Sequence, residues 1–427
     1  MLIVLITLVK MDTFTAFVVV SIAVGLAEGM RPEAVLKSLE AGIGSTLGSL
    51  VLILGFGAML GKIVAESGAA QRISSRLINL FGVKYVQWAM VITGFVLGIP
   101  MFYNVAFVIL VPLIFTVAAS TGLPLLYVGM PMLAALSVTH GYLPPHPSPS
   151  AIAVMFQADM GKTLLYGIVI AIPVIIMAGP FYARTLKKTR ATPLKEFVNP
   201  NVLKEDEMPG MTVSILSALL PVILIIASTI MEFTPLKKIL AGTIVRFVGS
   251  PTIAMLISVL VATYTLGISK GRSMKNIADL YAKSVLSITM MLLIIAGAGI
   301  LKQVLTDSGV SDYLAGMLNN TGFSPLLLGW LIATVIRVCV GSATVAGLTA
   351  AGIILPLVSQ GSVNPELMVL SIGAGSLMFS HVNDVGFWLY KEYFNLTVKD
   401  TLLSWTVMET IVGISGLLGV LLLNCLI

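Results

Sequence analysis

This chain has little charge, few cysteines and few histidines. Charged residues make up 10% of its 427 positions against 57% hydrophobic, and the mean hydropathy is +1.03. A soluble domain carries about a quarter charged residues, so that class is excluded and a polytopic helical membrane protein remains. The two cysteines, Cys339 and Cys425, both lie in apolar runs, which excludes a disulfide framework or a cysteine-built metal cluster. The net charge of +6 does not indicate nucleic acid, because the basic residues sit mostly in short loops, as the positive-inside rule requires. Residues 1–9 lack the charged start and small-residue cleavage site of a signal peptide, and they read as a first span.

Against this background the stretch from Ser380 to Trp388 stands out. It places His381, Asn383 and Asp384 directly after 367–379, a run without any charge. A charge at bilayer depth costs about 2.5–3.5 kcal/mol on insertion scales, so such groups mark a site by default. The alternative is that Asn383 and Asp384 merely end a helix at the interface. A second copy favours the site. Sliding the chain by 241 residues puts His140 on His381, Asp159 on Asp400, Pro124 on Pro365 and Glu66-Ser67-Gly68 on Asp307-Ser308-Gly309. Self-similarity at a fixed offset marks a duplicated unit, and in a membrane chain it points to a two-repeat transporter.

The expected fold is an all-α polytopic membrane protein of two inverted-topology repeats, each with a re-entrant hairpin and a broken helix. Residues 1–183 form the first repeat, 184–210 a cytoplasmic linker and 211–427 the second repeat. After the run 13–27 come an amphipathic stretch at 31–43, a span at 44–65 and a polar link holding Arg72, Arg76 and Lys84. The uncharged run 86–119 is too long for one crossing of about 20 residues, so it reads as a hairpin with its tip at Gly98–Asn104. Four prolines within six residues, Pro144 to Pro149, then stop a helix that resumes near Ala151. A span at 163–183 closes the half. The second half offers spans near 212–231, 251–268 and 284–305, and a hairpin at 325–358 tipped by Gly341–Thr344. A broken helix through His381 and a span near 402–424 complete it. If residues 1–9 cross, each half makes an odd number of crossings, and sixteen lysines and arginines fall on the cytoplasmic side against seven outside.

Thr139-His140-Gly141-Tyr142-Leu143-Pro144-Pro145-His146-Pro147, Gly341-Ser342-Ala343-Thr344-Val345-Ala346 and Ser380-His381-Val382-Asn383-Asp384 together resemble the bacterial gluconate:proton symporter family, within the ion-transporter superfamily. The run Gly386–Leu396 is similar as well, and the resemblance covers nearly the whole chain. It implies a proton-coupled importer of gluconate or a related sugar acid in the bacterial inner membrane. The runner-up is a carrier of D-serine or another small hydroxy acid from the same family. The start departs from the pattern, since the first span is shorter than the family's usual one.

A sugar acid offers one carboxylate and a row of hydroxyls, which call for amide or hydroxyl donors, a cation, and mixed donor–acceptor groups. Ser342 and Thr344 at the second tip suit the carboxylate, although small residues there also permit close helix packing. Asn104 at the first tip suits a hydroxyl. His140, His146, His381 and Asn383 complete the expected substrate-binding set. Arg337 either faces the carboxylate or snorkels to the surface, and snorkelling is the favoured reading. Proton coupling falls first to Asp384 with His381 and second to His140 with His146, the alternative being that these histidines only stabilise the broken helices. The expected partners are the sugar acid, the proton and the lipid bilayer, with a homo-oligomer permitted and no cofactor or metal. An intramembrane metalloenzyme using His140, His146 and Asp384 finds no recognised ligand spacing. The nucleophile-elbow letters at Gly267–Gly271 lie in a basic loop without strand context and read as chance.

Overall fold

Helix ends in this chain are set by proline, by short capping side chains and by glycine. A computed structural model describes residues 1–189, 191, 203–232, 234, 240–310, 313, 324–361 and 363–427, with backbone alone at 3, 7, 49, 104, 105, 232 and 241. Proline opens helices at Pro32, Pro147, Pro251, Pro325 and Pro365, where its missing amide hydrogen costs nothing. Asp12 and Asp159 cap others by accepting from Thr15 and Lys162 amides at 3.0 and 2.7 Å, and Asn364 caps the helix that Pro365 opens, accepting from the Leu367 amide at 2.9 Å.

In the first half the helices are α1 (Leu2–Thr7), α2 (Thr13–Ala27), α3 (Pro32–Glu66), α4 (Ala69–Phe81), α5 (Val86–Gly98), α6 (Tyr103–Thr121), α7 (Leu125–Tyr142), α8 (Pro147–Met155) and α9 (Met160–Ile176). The second half holds α10 (Met211–Glu232), α11 (Leu240–Val248), α12 (Pro251–Ala262), α13 (Met274–Leu286) and α14 (Thr289–Asp307). It continues with α15 (Pro325–Val340), α16 (Ala343–Ser359), α17 (Pro365–Leu377), α18 (Val385–Tyr393), α19 (Val398–Thr401) and α20 (Val407–Asn424). No strand occurs among the described residues. Among the described residues five helical stretches are long and apolar enough to cross a bilayer, or up to seven if each of two bent pairs is one span. The chain is a multi-pass helical membrane protein.

Several details depart from the sequence expectation. Residues 1–9 do not form a span: α1 has six residues, about 9 Å of helix against a hydrocarbon core of about 30 Å. The odd crossing count therefore does not follow from this segment. The link carrying Arg72 and Arg76 is a helix, because Ala69, Ala70 and Ile73 give it a buried face. The span expected from 284 begins at Thr289, after the separate amphipathic helix α13. α8 restarts at Pro147, four residues before Ala151, because Pro147 and Pro149 occupy its first turn, where helix amides have no partner anyway. Residues 192–202 of the linker lie outside the described residues.

Packing mirrors itself across the two halves. α2 lies on α14, while α12, which holds the same place in the second half, lies on α3. α5 packs on α7, and likewise α15 packs on α17. Helix bounds recur near the 241-residue offset: Tyr103–Thr121 against Ala343–Ser359, and Pro32–Glu66 against the pair Met274–Leu286 and Thr289–Asp307. At the α3–α14 crossing the backbones touch. A Cβ on Gly42 would lie 2.6 Å from the Gly299 carbonyl oxygen and 2.8 Å from Ile300 Cα. Small residues at such contacts let helices approach where lipid offers no hydrophobic drive. Gly42→Val is accordingly expected to cost at least the 1–3 kcal/mol typical of overpacking, roughly, since backbone cannot step aside. Gly44→Val, whose Cβ meets open space, is the control. Thermal melting of the purified protein in detergent checks both.

Candidate functional site at the two helix breaks

The second break runs from Met378 to Asp384, between α17 and α18. Asp384 caps α18, its Oδ1 accepting from the Gly386 amide at 2.9 Å. Its Oδ2 accepts from Ser380 Oγ and from the Arg337 guanidinium. Arg337 lies on the last turn of α15, 3% exposed, and its other terminal nitrogen donates to the Gly341 carbonyl at the hairpin tip. The Arg337 Nε–H is buried without a partner, a donor left over. Ser380 in turn accepts from Trp405 Nε1 at 2.8 Å, so the break, the tip and the last span meet at one carboxylate.

His381 and Asn383 tie the break to the same helix end. His381 Nε2 and Asn383 Nδ2 lie 3.1 and 2.8 Å from the Val338 carbonyl. A carbonyl only accepts, so His381 carries hydrogen on Nε2. Gly341 closes the tip at φ +80°, and the space a Cβ would need is filled by Asn383 backbone. Ser342 caps α16, accepting from the Val345 amide at 3.4 Å, with its hydroxyl hydrogen left to donate. Thr344 stands in the first turn of α16, half-buried.

The first break, Leu143 to His146, repeats the device. His146 Nε2 lies 2.6 Å from the Gly98 carbonyl, at the end of the first hairpin's leading helix. The offset pairs His140 with His381, yet it is His146 that takes the tying role here. His140 packs instead between Tyr103 and His146, tilted to the first ring and edge-on to the second, with ring centroids 5.8 and 5.5 Å away. The Nδ1 atoms of both histidines are buried without partners. Residues 141–150 are buried throughout, whereas Val382 and Val385 are 48% and 69% exposed. The first break is closed and the second lies at a surface. Gly141 and Gly373 touch where α7 and α17 cross, bringing the breaks together.

The structure thus gathers His140 and His146 at one break, and Ser342, His381, Asn383 and Asp384 at the other. The side chain of Asn104 lies outside the described residues, though its backbone opens α6 beside the first tip. Snorkelling of Arg337 is corrected: with Asp384 and Gly341 as partners, the guanidinium stays inside. Among the described residues His140, His146 and Asp384 form no group able to hold a metal ion. One carboxylate was missed altogether. Glu409 on α20 is 2% exposed, and Ser137 Oγ lies 2.7 and 2.8 Å from its two oxygens. Its apolar neighbourhood, Thr406 to Gly419, could have flagged it, since an acidic residue within a span is a site candidate by default.

Broken helices that meet hairpin tips over buried charged groups define a membrane transporter of the secondary class. The comparisons place it further. The chain belongs to the GntP family of permeases, whose model matches residues 1–426. It is 53% identical to a high-affinity gluconate transporter of Escherichia coli over 98% of this chain and 95% of that protein. It is 51% identical, with the same coverage, to the Gnt-II system L-idonate transporter of Escherichia coli. Its fold resembles the Alcanivorax borkumensis YdaH transporter at a TM-score of 0.69 and 15% identity, covering 97% of both chains. It also resembles Neisseria gonorrhoeae MtrF at 0.70 and 14%, covering 97% of this chain and 94% of that one.

The ion pair predicts a non-additive mutant cycle. Arg337→Ala leaves the half-buried Asp384 carboxylate with only Ser380 and Gly386 as donors and should destabilise the protein by less than the 3–5 kcal/mol, roughly, lost when a fully buried pair is broken. Arg337→Ala with Asp384→Ala removes both charges and should recover part of that loss. Detergent melting temperatures of the three variants check this, and additive losses would show that the two groups are not coupled.

Proposed function

We propose that the protein imports gluconate or a related sugar acid across the bacterial inner membrane, driven by the proton gradient. Its halves, 1–183 and 211–427, act as inverted repeats around the linker 184–210, and the matching helix bounds and mirrored packing support this. The substrate class is supported by the relatives, named for gluconate and L-idonate.

The observation that carries the mechanism is the buried guanidinium of Arg337, shared between Asp384 and a hairpin tip. A guanidinium with a spare donor is suited to a carboxylate ligand. The substrate carboxylate approaches Arg337 alongside the Ser342 and Thr344 hydroxyls. Asn104, His140, His146, His381 and Asn383 serve its hydroxyls from the two breaks. The incoming carboxylate competes with Asp384 for Arg337. An Asp384 carboxylate deprived of its counter-ion at low dielectric takes up a proton, with His381 beside it as the relay. One proton moved with one monoanion is electroneutral, so the membrane potential, about 2.3 kcal/mol per charge per 100 mV, adds nothing at that ratio.

Uptake of labelled gluconate into energised vesicles tests the reading. Saturable accumulation that a protonophore abolishes and excess D-serine does not compete is expected. Asp384→Asn should lower accumulation by at least tenfold relative to counterflow exchange. Uphill, uncoupler-sensitive uptake at the wild-type level in that variant would remove Asp384 from the coupling step, and D-serine uptake in place of gluconate would overturn the substrate.

A further inference from the structure

The buried carboxyl of Glu409 has no role in the mechanism above. It sits one turn beyond Trp405 and Thr406, the two residues that hold Ser380 through its hydroxyl and its carbonyl. Among the described residues no cation lies within salt-bridge distance of it, and its single polar contact is the Ser137 hydroxyl. That hydroxyl is 2.7 Å from one carboxyl oxygen and 2.8 Å from the other. A hydroxyl has one hydrogen. Both contacts are served when the carboxyl carries a proton of its own and returns it to Ser137 Oγ. An ionised carboxylate at this depth would keep one divided donor against a desolvation penalty of several kcal/mol, roughly.

Asp384 is the opposite case. It has three donors, one of them a guanidinium. Two carboxyls so differently partnered are suited to different roles in proton transfer. Among the described residues the charged and titratable groups around Glu409 are Arg337 on α15, Asp384 ahead of α18, Tyr103 on α6 and Tyr142 on α7. Arg337 therefore acts on both carboxyls, and moving its charge toward a substrate changes the field at Glu409.

We propose that the Glu409–Ser137 pair is a second proton-binding site of this transporter, occupied in the state shown while Asp384 stays paired with Arg337. The proposal rests on the proton-coupled reading, and it places the proton on α20 before the substrate arrives. The neutral acid is the form present at low pH, so uptake should fall as pH rises through the titration of Glu409. Glu409→Gln, which copies the neutral acid, should flatten that limb and lower accumulation relative to counterflow by tenfold or more.

Infrared difference spectroscopy of purified protein across a pH step reads the proton without any transport. The expected result is a protonated-carboxyl carbonyl band that is absent in Glu409→Gln and displaced in Ser137→Ala, which keeps the carboxyl but removes its partner. If Glu409→Gln does not fold, the Ser137→Ala displacement and its shifted pH limb decide alone. A band unchanged in these variants, or a wild-type pH profile in them, overturns the proposal. A wild-type protein that shows the band but no proton-driven sugar-acid uptake would sink the transport reading instead, leaving Glu409 protonated.

Discussion

Burying an arginine inside a membrane protein is tolerable only when its charge is answered on the spot, and the Arg337–Asp384 pair is that answer here. Much of the site follows from it. Asp384 must stand where α17 is broken, because an intact helix would carry it past the guanidinium. Gly341 must turn left-handed so that its carbonyl faces Arg337 and its Cα meets Asn383. Ser380, Trp405 and Thr406 then connect the same carboxylate to the last span. A buried pair of this kind adds little net stability, since desolvation offsets its attraction. Its value lies in being exchangeable: any anion that presents a carboxylate offers Arg337 an equal partner.

The two breaks share one construction and differ in exposure. In each, an imidazole is held against the carbonyl at the end of the leading hairpin helix, Gly98 for His146 and Val338 for His381. Those carbonyls have no helical partner, so the tie satisfies groups that would otherwise be costly in an apolar interior. The first break is sealed and the second lies at a surface. Two similar devices in unlike surroundings are what a carrier needs if a site between them is to face one side at a time.

Much of this was legible in the residues. Composition gave the membrane class, the prolines at 144–149 gave the first break, and the charge-free run before His381 gave the second. Local chemistry decides each of those. Contacts that join distant elements were not legible. Arg337 read as a snorkelling residue because its partner is 47 positions away and no local pattern links them. Glu409 was overlooked because Ser137, its only polar contact among the described residues, is 272 positions away. His140 was paired with His381 by offset, yet His146 makes the equivalent tie. A repeat preserves the location of a break better than the identity of the atom that secures it. The helical nature of 69–81 was hidden by its arginines, one of which is buried against Glu205 and the Pro209 carbonyl of the linker.

In the proposed mechanism a substrate carboxylate and Asp384 compete for Arg337, and Asp384 takes a proton when it loses. Purified protein in weakly buffered detergent, mixed with gluconate in the presence of a pH indicator dye, measures this without a membrane. Saturable, stoichiometric proton uptake on binding, abolished in Asp384→Asn, is the predicted result. Gluconate binding with no proton uptake, or with the same uptake in Asp384→Asn, would contradict it.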